Sequence, residues 1–426
     1  MKVIKIATAG SVDDGKSTLI GRLLYDTKSL TDDKLEAIEE KSKQRGFDFL
    51  DFSLATDGLV AEREQGITID VAHIYFSTPT TSFIIADTPG HIEYTRNMVT
   101  GASNSQASII LVDARNGVVE QTYRHFFINN LLRIKDVVVA VNKMDLVDYS
   151  EEKFNQIKGE IEYLASKSNY QNQNITFIPI SALHGDNVAK KSNNFSWYQG
   201  ESLLEHLESL DAEDVLEASQ TRFPVQTVIR PKTKEYHDYR GYSGKLYGGD
   251  LSVGDKVTVL PSATTSTVKN IHFFDKEYQS AKRGSSISIT LEDDVNISRG
   301  DMLVKTGEEP KIVKQLEATI CWMDKDPLQT SGRYYIKHGI NEAQAKITGL
   351  ETVIHTNFSG KEEQPEKLSL NEIGEVSLKI SKPLFVDSYQ ENKYNGAFIL
   401  INPKTNNTAG VGFIKYTKNN GNYNNR

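Results

Sequence analysis

The residues with the clearest chemical potential are Gly10-Ser11-Val12-Asp13-Asp14-Gly15-Lys16-Ser17, followed by Thr18. They fit G-x-x-x-x-G-K-[ST], in which glycines let the backbone turn its N–H groups inward around a phosphate. The helix start that follows would present more donors. Lys16 would reach the β- and γ-phosphates, and the Ser17 hydroxyl would take a magnesium ion. The pattern has this meaning only between a strand and a helix. Both neighbours are expected: Val3, Ile4, Ile6 and Ala7 make a short apolar strand, and the leucines of Ser17–Tyr25 recur at helical spacing.

A second set, Asp87-Thr88-Pro89-Gly90-His91, ends the apolar run Phe83–Ala86. A carboxylate at a strand's carboxyl end stands where open α/β sheets bind ligands. Asp87 would hold magnesium, mostly through water, and the Gly90 N–H would meet the γ-phosphate. His91 would lie beside the attacking water, a sufficient role where phosphoryl transfer needs positioning more than covalent chemistry. A lone histidine after a turn is ordinarily a surface residue; its place behind Asp-Thr-Pro-Gly gives it the catalytic reading. Between these sets lies Gly66-Ile67-Thr68-Ile69. The Thr68 hydroxyl, in a mobile loop, could complete the magnesium shell only while a γ-phosphate is present, making the loop a sensor of hydrolysis. Taken alone, the same four residues equally start a strand.

The base is chosen later in the chain. The run Val137–Val141 ends in Asn142-Lys143-Met144-Asp145. Guanine presents two adjacent donors that one carboxylate, Asp145, accepts together; adenine lacks that pair and would leave the carboxylate unpaired. Sites built on such hydrogen bonds reject the analogue lacking them by orders of magnitude. Asn142 would tie loops together and face the base, while the stem of Lys143 covers its flat side. Finally Ser181-Ala182-Leu183, after the strand Ile175–Ile180, would meet the guanine carbonyl through its backbone.

Four motifs, each at the end of an expected strand, require an α/β P-loop GTPase domain, a mostly parallel sheet with helices on both faces, over residues 1–218. Lys28–Gln44 reads as a solvated helix, and Asp211–Gln220 as an acidic connector. The pattern then changes to short alternating runs: Phe223–Ile229, Ser243–Tyr247, Lys256–Leu260, Thr267–Phe273 and Ser286–Thr290. Glycine, proline and aspartate separate them, which suggests a small β-barrel over 222–312. Glu317–Trp322, Gly332–Lys337, Ala343–Leu350, Ile373–Ile380 and Ala397–Asn402 suggest a second barrel over 314–417, before an Asn-rich, disordered tail at 418–426. A length of 426 residues is too great for one core. The net charge of -8 disfavours generic attraction to nucleic acid or anionic membranes. One cysteine, Cys321, leaves no internal disulfide, suits a reducing compartment, and beside Trp322 reads as buried and inert. The N-terminus is not a signal peptide's apolar region, and no apolar run approaches membrane-spanning length. A cytoplasmic protein with no membrane or nucleic-acid partner is expected.

The motifs together resemble the GTPase domain of the translation-factor class, in which histidine follows Asp-Thr-Pro-Gly. That resemblance implies GTP and Mg2+ as ligands, Val12 and Ile67 flanking His91 as a hydrophobic gate, and Asp13 helping to bind a monovalent cation. Longer strings, Ser11–Tyr25, Asp57–Asp70, His91–Met98 and Trp197-Tyr-Gln-Gly200, resemble the large, GTPase subunit of bacterial sulfate adenylyltransferase. So do Arg230–Gly244, Val257–Ser262, Lys337–Gly339 and Asn371–Gly374, so that the resemblance runs to about residue 416. Elongation factors usually carry histidine or serine where Asp14 stands. One departure is Tyr123 in Gln121-Thr-Tyr-Arg-His125, where the family often has a second arginine.

The resemblance implies a separate catalytic small subunit, in a heterodimer or higher assembly. That partner would make adenosine 5′-phosphosulfate and pyrophosphate from ATP and sulfate, an uphill step that GTP hydrolysis would draw forward. Nothing outside the GTP site offers a second phosphate cradle, so the adenylyl transfer is expected in the partner. The alternative is an elongation-factor-like GTPase delivering aminoacyl-tRNA, which shares the GTP site entirely. Tyr236, Tyr239 and Tyr242 with Arg240 could form an RNA-stacking surface, or could be the cross-strand packing of a hairpin.

Overall fold

The computed structural model describes residues 2–44, 46, 50–55, 72–88, 95–211, 220–231, 239–274 and 276–416. They group into two compact units, the first built from residues 1–214 with 355–360 and the second from the remainder.

The first unit carries β1 (Lys2–Ala9), β2 (Ala72–Ser77), β3 (Thr81–Asp87), β4 (Ala107–Asp113), β5 (Asp136–Asn142) and β6 (Asn174–Pro179). They form one sheet in the order β2-β3-β1-β4-β5-β6, parallel throughout except where β2 runs against β3. All seven residues of β4 are buried, as is most of β5. Strands without a polar face belong to parallel sheets covered on both sides. Register sets Thr8 beside Asp87 and Asp113 beside Asn142, so strand ends bearing polar residues reach the same edge of the sheet. Ile6, Leu19, Phe83, Ile109, Val138 and Ile178 are among the core residues beneath it.

Six helices accompany these strands among the described residues: α1 (Lys16–Asp26), α2 (Asp32–Gln44), α3 (Thr95–Ala102), α4 (Glu120–Leu131), α5 (Glu151–Lys167) and α6 (Leu203–Ser209). The helix expected from Lys28 starts at Asp32, because Lys28 is left-handed (φ 55°). Asp32 and Asp33 then suit the positive end of the helix dipole. Ser150 caps α5 by accepting from the Lys153 N–H, and Ser202 with Glu205 forms a capping box on α6. Gly21 lets the turn Phe52–Ala55 close onto α1: a Cβ there would stand 2.0 Å from the Phe52 carbonyl oxygen.

The second unit holds two closed antiparallel barrels. The first uses β7 (Phe223–Ile229), β8 (Gly241–Lys245), β9 (Lys256–Leu260), β10 (Thr264–Phe273), β11 (Ser286–Leu291) and β12 (Met302–Lys305). Their order is β9-β12-β7-β8-β11-β10, and pairing of β9 with β10 closes the ring. The second uses β13 (Lys311–Trp322), β14 (Arg333–His338), β15 (Asn341–Ile354), β16 (Ile373–Val386), β17 (Ala397–Ile401) and β18 (Thr408–Tyr416). Its order is β14-β17-β18-β13-β16-β15, closed by β14 with β15. Register irregularities between β13 and β16, β15 and β16, and β17 and β18 supply the local bending that closure requires. Sequence alternation did not mark β12 or β18, the strands that complete each ring. β13 runs through residues 312–314, and Lys311–Val313 already pair with β16 of the second barrel.

One of the two readings of the tyrosine cluster fails at Tyr242. Tyr242 is 1% exposed, inside the first barrel, with its hydroxyl donating to the Val295 carbonyl at 2.9 Å, so it cannot stack on a base. Tyr239 meets His272 edge-on at 6.4 Å between centroids, and Tyr236 lies outside the described residues. Cys321 is fully buried. Among the described residues no helix is long and apolar enough to cross a membrane. The connector 212–219 and the tail 417–426 lie outside the described residues.

Candidate functional site

β1 stops at Ala9, the chain passes Gly10 to Gly15, and α1 opens at Lys16 with Ser17 and Thr18 in its first turn. The loop needs two left-handed residues, Asp13 (φ 69°) and Gly15 (φ 91°). At Gly15 nothing larger fits, since a Cβ would stand 2.4 Å from Asn142 Nδ2. The first turn of α1 has neither an acidic residue nor a side-chain cap. Its positive dipole end is therefore available to an anion.

Inside the loop the Ser11 N–H donates to Asp14 Oδ2 at 2.6 Å, and the Asp14 N–H to the Ser11 carbonyl at 3.2 Å. Burial above all, with the Asp113 charge adding to it, pushes the Asp14 carboxyl up to about 6, against the opposing pull of Ser11 and Lys143. Lys16 is buried and donates to Asp87 Oδ1 and to the Thr88 carbonyl, each at 2.6 Å. Thr8 donates to the same Asp87 oxygen at 3.1 Å, and the Thr88 hydroxyl donates to the Thr8 carbonyl at 2.5 Å. These bonds fasten the end of β3 to the strand that feeds the phosphate loop. Val12 is 42% exposed at the loop's outer side. Ile67, Thr68, Pro89, Gly90 and His91 lie outside the described residues.

The donor set fits magnesium. The Lys16–Asp87 bond brings the start of α1, which carries the Ser17 hydroxyl, beside the Asp87 carboxylate. Among the described residues no three His, Cys, Asp or Glu side chains converge into a protein cage for a metal. Magnesium typically takes one or two protein oxygens and fills its octahedron with phosphate and water.

On the other side of the loop, Asn142 joins two chain segments. Its Nδ2 donates to the Asp14 carbonyl at 2.7 Å, and its Oδ1 accepts from the Ala182 N–H at 2.9 Å. Lys143 (φ 61°) donates to the Asp13 carbonyl and lies 3.0 Å from Asp113 Oδ2. Met144 is buried, with its N–H on the Ile180 carbonyl at 3.3 Å. The Asp145 carboxylate stands in the tight turn Met144–Val147 with 12% exposure, and His184 Nε2 is 3.8 Å from its Oδ2. Ser181 and Ala182 are buried, and the Leu183 carbonyl accepts from Arg22 of α1 at 3.4 Å. The phosphate loop, the Asn142–Asp145 turn and the Ser181–Leu183 loop therefore form one hydrogen-bonded unit.

Sequence reasoning did not assign Asp113, although it ends an apolar strand as Asp87 does. It accepts from the Arg115 N–H (2.9 Å), Nε (3.1 Å) and Nη2 (2.7 Å). Burial would raise Asp113, but the Arg115 and Lys143 contacts outweigh it and hold the carboxyl at about 2. His125 on α4 is buried and stays neutral, its pKa lowered to about 3 by burial first and then by the charges of Lys16 and Arg124. Tyr149, Asp186 and Trp197 also went unassigned; the Trp-Tyr-Gln-Gly string marked a resemblance without showing what the indole does.

Comparison with known proteins agrees with this architecture. The family described as Elongation factor Tu GTP binding domain matches residues 1–224, and that described as GTP-eEF1A C-terminal domain-like matches 315–415. The chain is similar to Sulfate adenylyltransferase subunit 1 of Bacteroides fragilis, at 49% identity over 414 residues, covering 97% of this chain and 86% of that protein. The protein of the same name from Colwellia psychrerythraea is 45% identical over 417 residues, covering 97% and 88%. Bifunctional enzyme CysN/CysC of Mycobacterium tuberculosis is 48% identical over 413 residues, covering 97% and 67%.

Proposed function

This chain belongs to the sulfate adenylyltransferase subunit 1 family, within the class that carries an elongation factor Tu type GTP-binding domain, and on that premise we propose that it is the GTPase subunit of a sulfate adenylyltransferase. It couples GTP hydrolysis to the formation of adenosine 5′-phosphosulfate from ATP and sulfate by a catalytic partner subunit. The observation that carries the reading is the extent of the likeness: 49% identity over 414 residues, taking in the barrels as well as the GTP site. A cytoplasmic setting follows from that role.

The chain's own residues supply the following steps. Asp145 reads the paired donors of guanine, with Asn142 fixing the phosphate loop against the Ser181–Leu183 loop. Arrival of the β- and γ-phosphates draws the Lys16 ammonium from Asp87 Oδ1, which frees that carboxylate. Ser17, Asp87 and Thr68 would hold magnesium, which would supply positive charge to offset that growing on the phosphates. The Gly90 N–H meets the γ-phosphate and His91 orients the attacking water. Loss of the γ-phosphate releases the Thr68 and His91 loops. Coupling requires that the two nucleotide states bind the partner differently.

The test combines this chain with the candidate catalytic subunit, ATP, sulfate and pyrophosphatase, and measures activated sulfate with and without GTP. GTP-dependent product is expected, and a GDP-loaded control should give little. Product formation indifferent to GTP, together with tight, salt-sensitive binding of charged tRNA, would overturn the proposal.

A further inference from the structure

We infer that Tyr149, Asp186 and Trp197 are positioning residues that brace the turn carrying Asp145, and so set how strictly the pocket demands guanine. The inference rests on the guanine reading above and adds three residues that do not touch the base.

The turn is strained. Between Lys143 and Tyr149 three side-chain-bearing residues are left-handed: Lys143 (φ 61°), Asp148 (φ 51°) and Tyr149 (φ 53°). Each such residue is disfavoured for a side-chain-bearing position, and two in succession persist only where surrounding contacts over-determine them. Those contacts converge on Tyr149. Its N–H closes the turn on the Met144 carbonyl at 2.8 Å. Its carbonyl accepts from Trp197 Nε1 at 2.9 Å, and its hydroxyl donates to Asp186 Oδ2 at 2.9 Å.

Asp186 carries the brace to the other base-facing loop. Its Oδ1 accepts from Ser192 Oγ at 2.6 Å and from Asn194 Nδ2 at 3.2 Å, while its carbonyl accepts from the Ser181 N–H at 3.1 Å. The rings are fixed as well. Tyr149 meets Phe195 edge-on at 5.1 Å between centroids, and Trp197 packs at 5.1 Å from Phe154 and 5.9 Å from Phe195. Burial above all, with Asp186 adding to it, pushes the Tyr149 hydroxyl up to about 12, so it remains a donor at every physiological pH.

The consequence follows from geometry. Two hydrogen bonds from guanine to one carboxylate constrain its orientation, whereas the single donor of hypoxanthine tolerates rotation. Loosening the turn should therefore weaken a guanine nucleotide more than its inosine analogue. A role confined to stability would lower the melting temperature and leave that ratio alone.

The experiment measures dissociation constants of GDP, IDP and ADP by calorimetry on the full chain and on Tyr149→Phe and Trp197→Phe. In the parent, GDP should bind more tightly than IDP, and ADP should not bind. Tyr149→Phe, which removes only the hydroxyl, should weaken GDP roughly tenfold and IDP roughly threefold or less, lowering the ratio by at least about threefold. Trp197→Phe should move it in the same direction, and GTP turnover at saturation should hold near the parental value in both, as expected where ground-state binding alone is lost. A parent without guanine preference would overturn the guanine reading itself. A parent with that preference and variants with unchanged ratios would overturn the brace alone. If Tyr149→Phe fails to fold, Trp197→Phe decides.

Discussion

At the scale of single residues, Asp145 and Asp14 are given opposite electrostatic tasks. In the base-reading role proposed for it, Asp145 must stay an acceptor for two donors. Asp145→Asn should move preference from guanine to xanthine, whose extra carbonyl suits an amide donor, and competition binding with XDP and GDP checks it. Unchanged GDP preference would remove Asp145 from base reading. Asp14 is an ionisable group that the fold holds out of water. Its pKa is raised from 3.8 to about 6, so its stabilising contribution is complete below pH 3.8 and is lost as pH rises through 6. Asn at this position can still accept from the Ser11 N–H. Asp14→Asn should therefore exceed the parent in stability by roughly 2 to 3 kcal/mol at pH 7.5, with the difference vanishing near pH 4. Urea unfolding at the two pH values measures this, and a pH-independent difference would refute it. For His91, substitution by alanine should leave GTP affinity near parental and slow hydrolysis by roughly three powers of ten or more, the span of other phosphoryl-transfer helpers. Single-turnover hydrolysis at the parental rate would exclude it from the mechanism.

At the scale of elements, the strand ends set the site and a buried ion pair organises the barrels. Arg222, at the entry to β7, is 1% exposed and donates from Nε and Nη2 to both oxygens of Asp387, each at 2.8 Å. It also donates to the Glu308 carbonyl at 2.6 Å, while Asn395 Nδ2 donates to Asp387 at 2.7 Å. Leu260, Met302 and Val304 of the first barrel also cluster with Phe385 of the second. Asp387→Ala should lower the stability of the second unit by about 3 to 5 kcal/mol, because it strands a buried guanidinium. Arg222→Met with Asp387→Leu should recover most of that loss. Denaturant titration followed by barrel-specific hydrogen exchange reads both, and equal losses in the single and double variants would refute the account. Helix and strand existence was legible from periodicity, since β4 and β5 are unbroken apolar runs. Their limits were less so: α2 waits for Asp32 because Lys28 takes a left-handed turn, a local choice that hydrophobic spacing does not register.

At the scale of the whole molecule, the described residues form two units with separate apolar cores, one around Ile6, Leu19 and Val138, the other in the barrels around Val257 and Trp322. The residues proposed to hold nucleotide belong to the first unit. At a hundredfold excess over its dissociation constant, GDP should stabilise that unit by about 2.7 kcal/mol. Differential scanning calorimetry should show two transitions, with GDP raising the midpoint of one. A single transition displaced as a whole would mean that the units unfold as one.

What the sequence determined alone was everything carried by short-range spacing: the phosphate loop, the Asp87 and Asn142–Asp145 strand ends, the guanine preference they encode, and the change from α/β to barrel. Each depends on a few consecutive residues whose backbone geometry is dictated locally. Tertiary structure alone decided which distant residues share a bond. Asn142 reaching both Asp14 and Ala182, Arg222 closing on Asp387, Tyr149 held between Trp197 and Asp186, and Tyr242 turned inward rather than toward RNA all depend on pairings across many residues. A hydrogen bond has no signature in the spacing of its partners along the chain; the packing of the cores places them within reach.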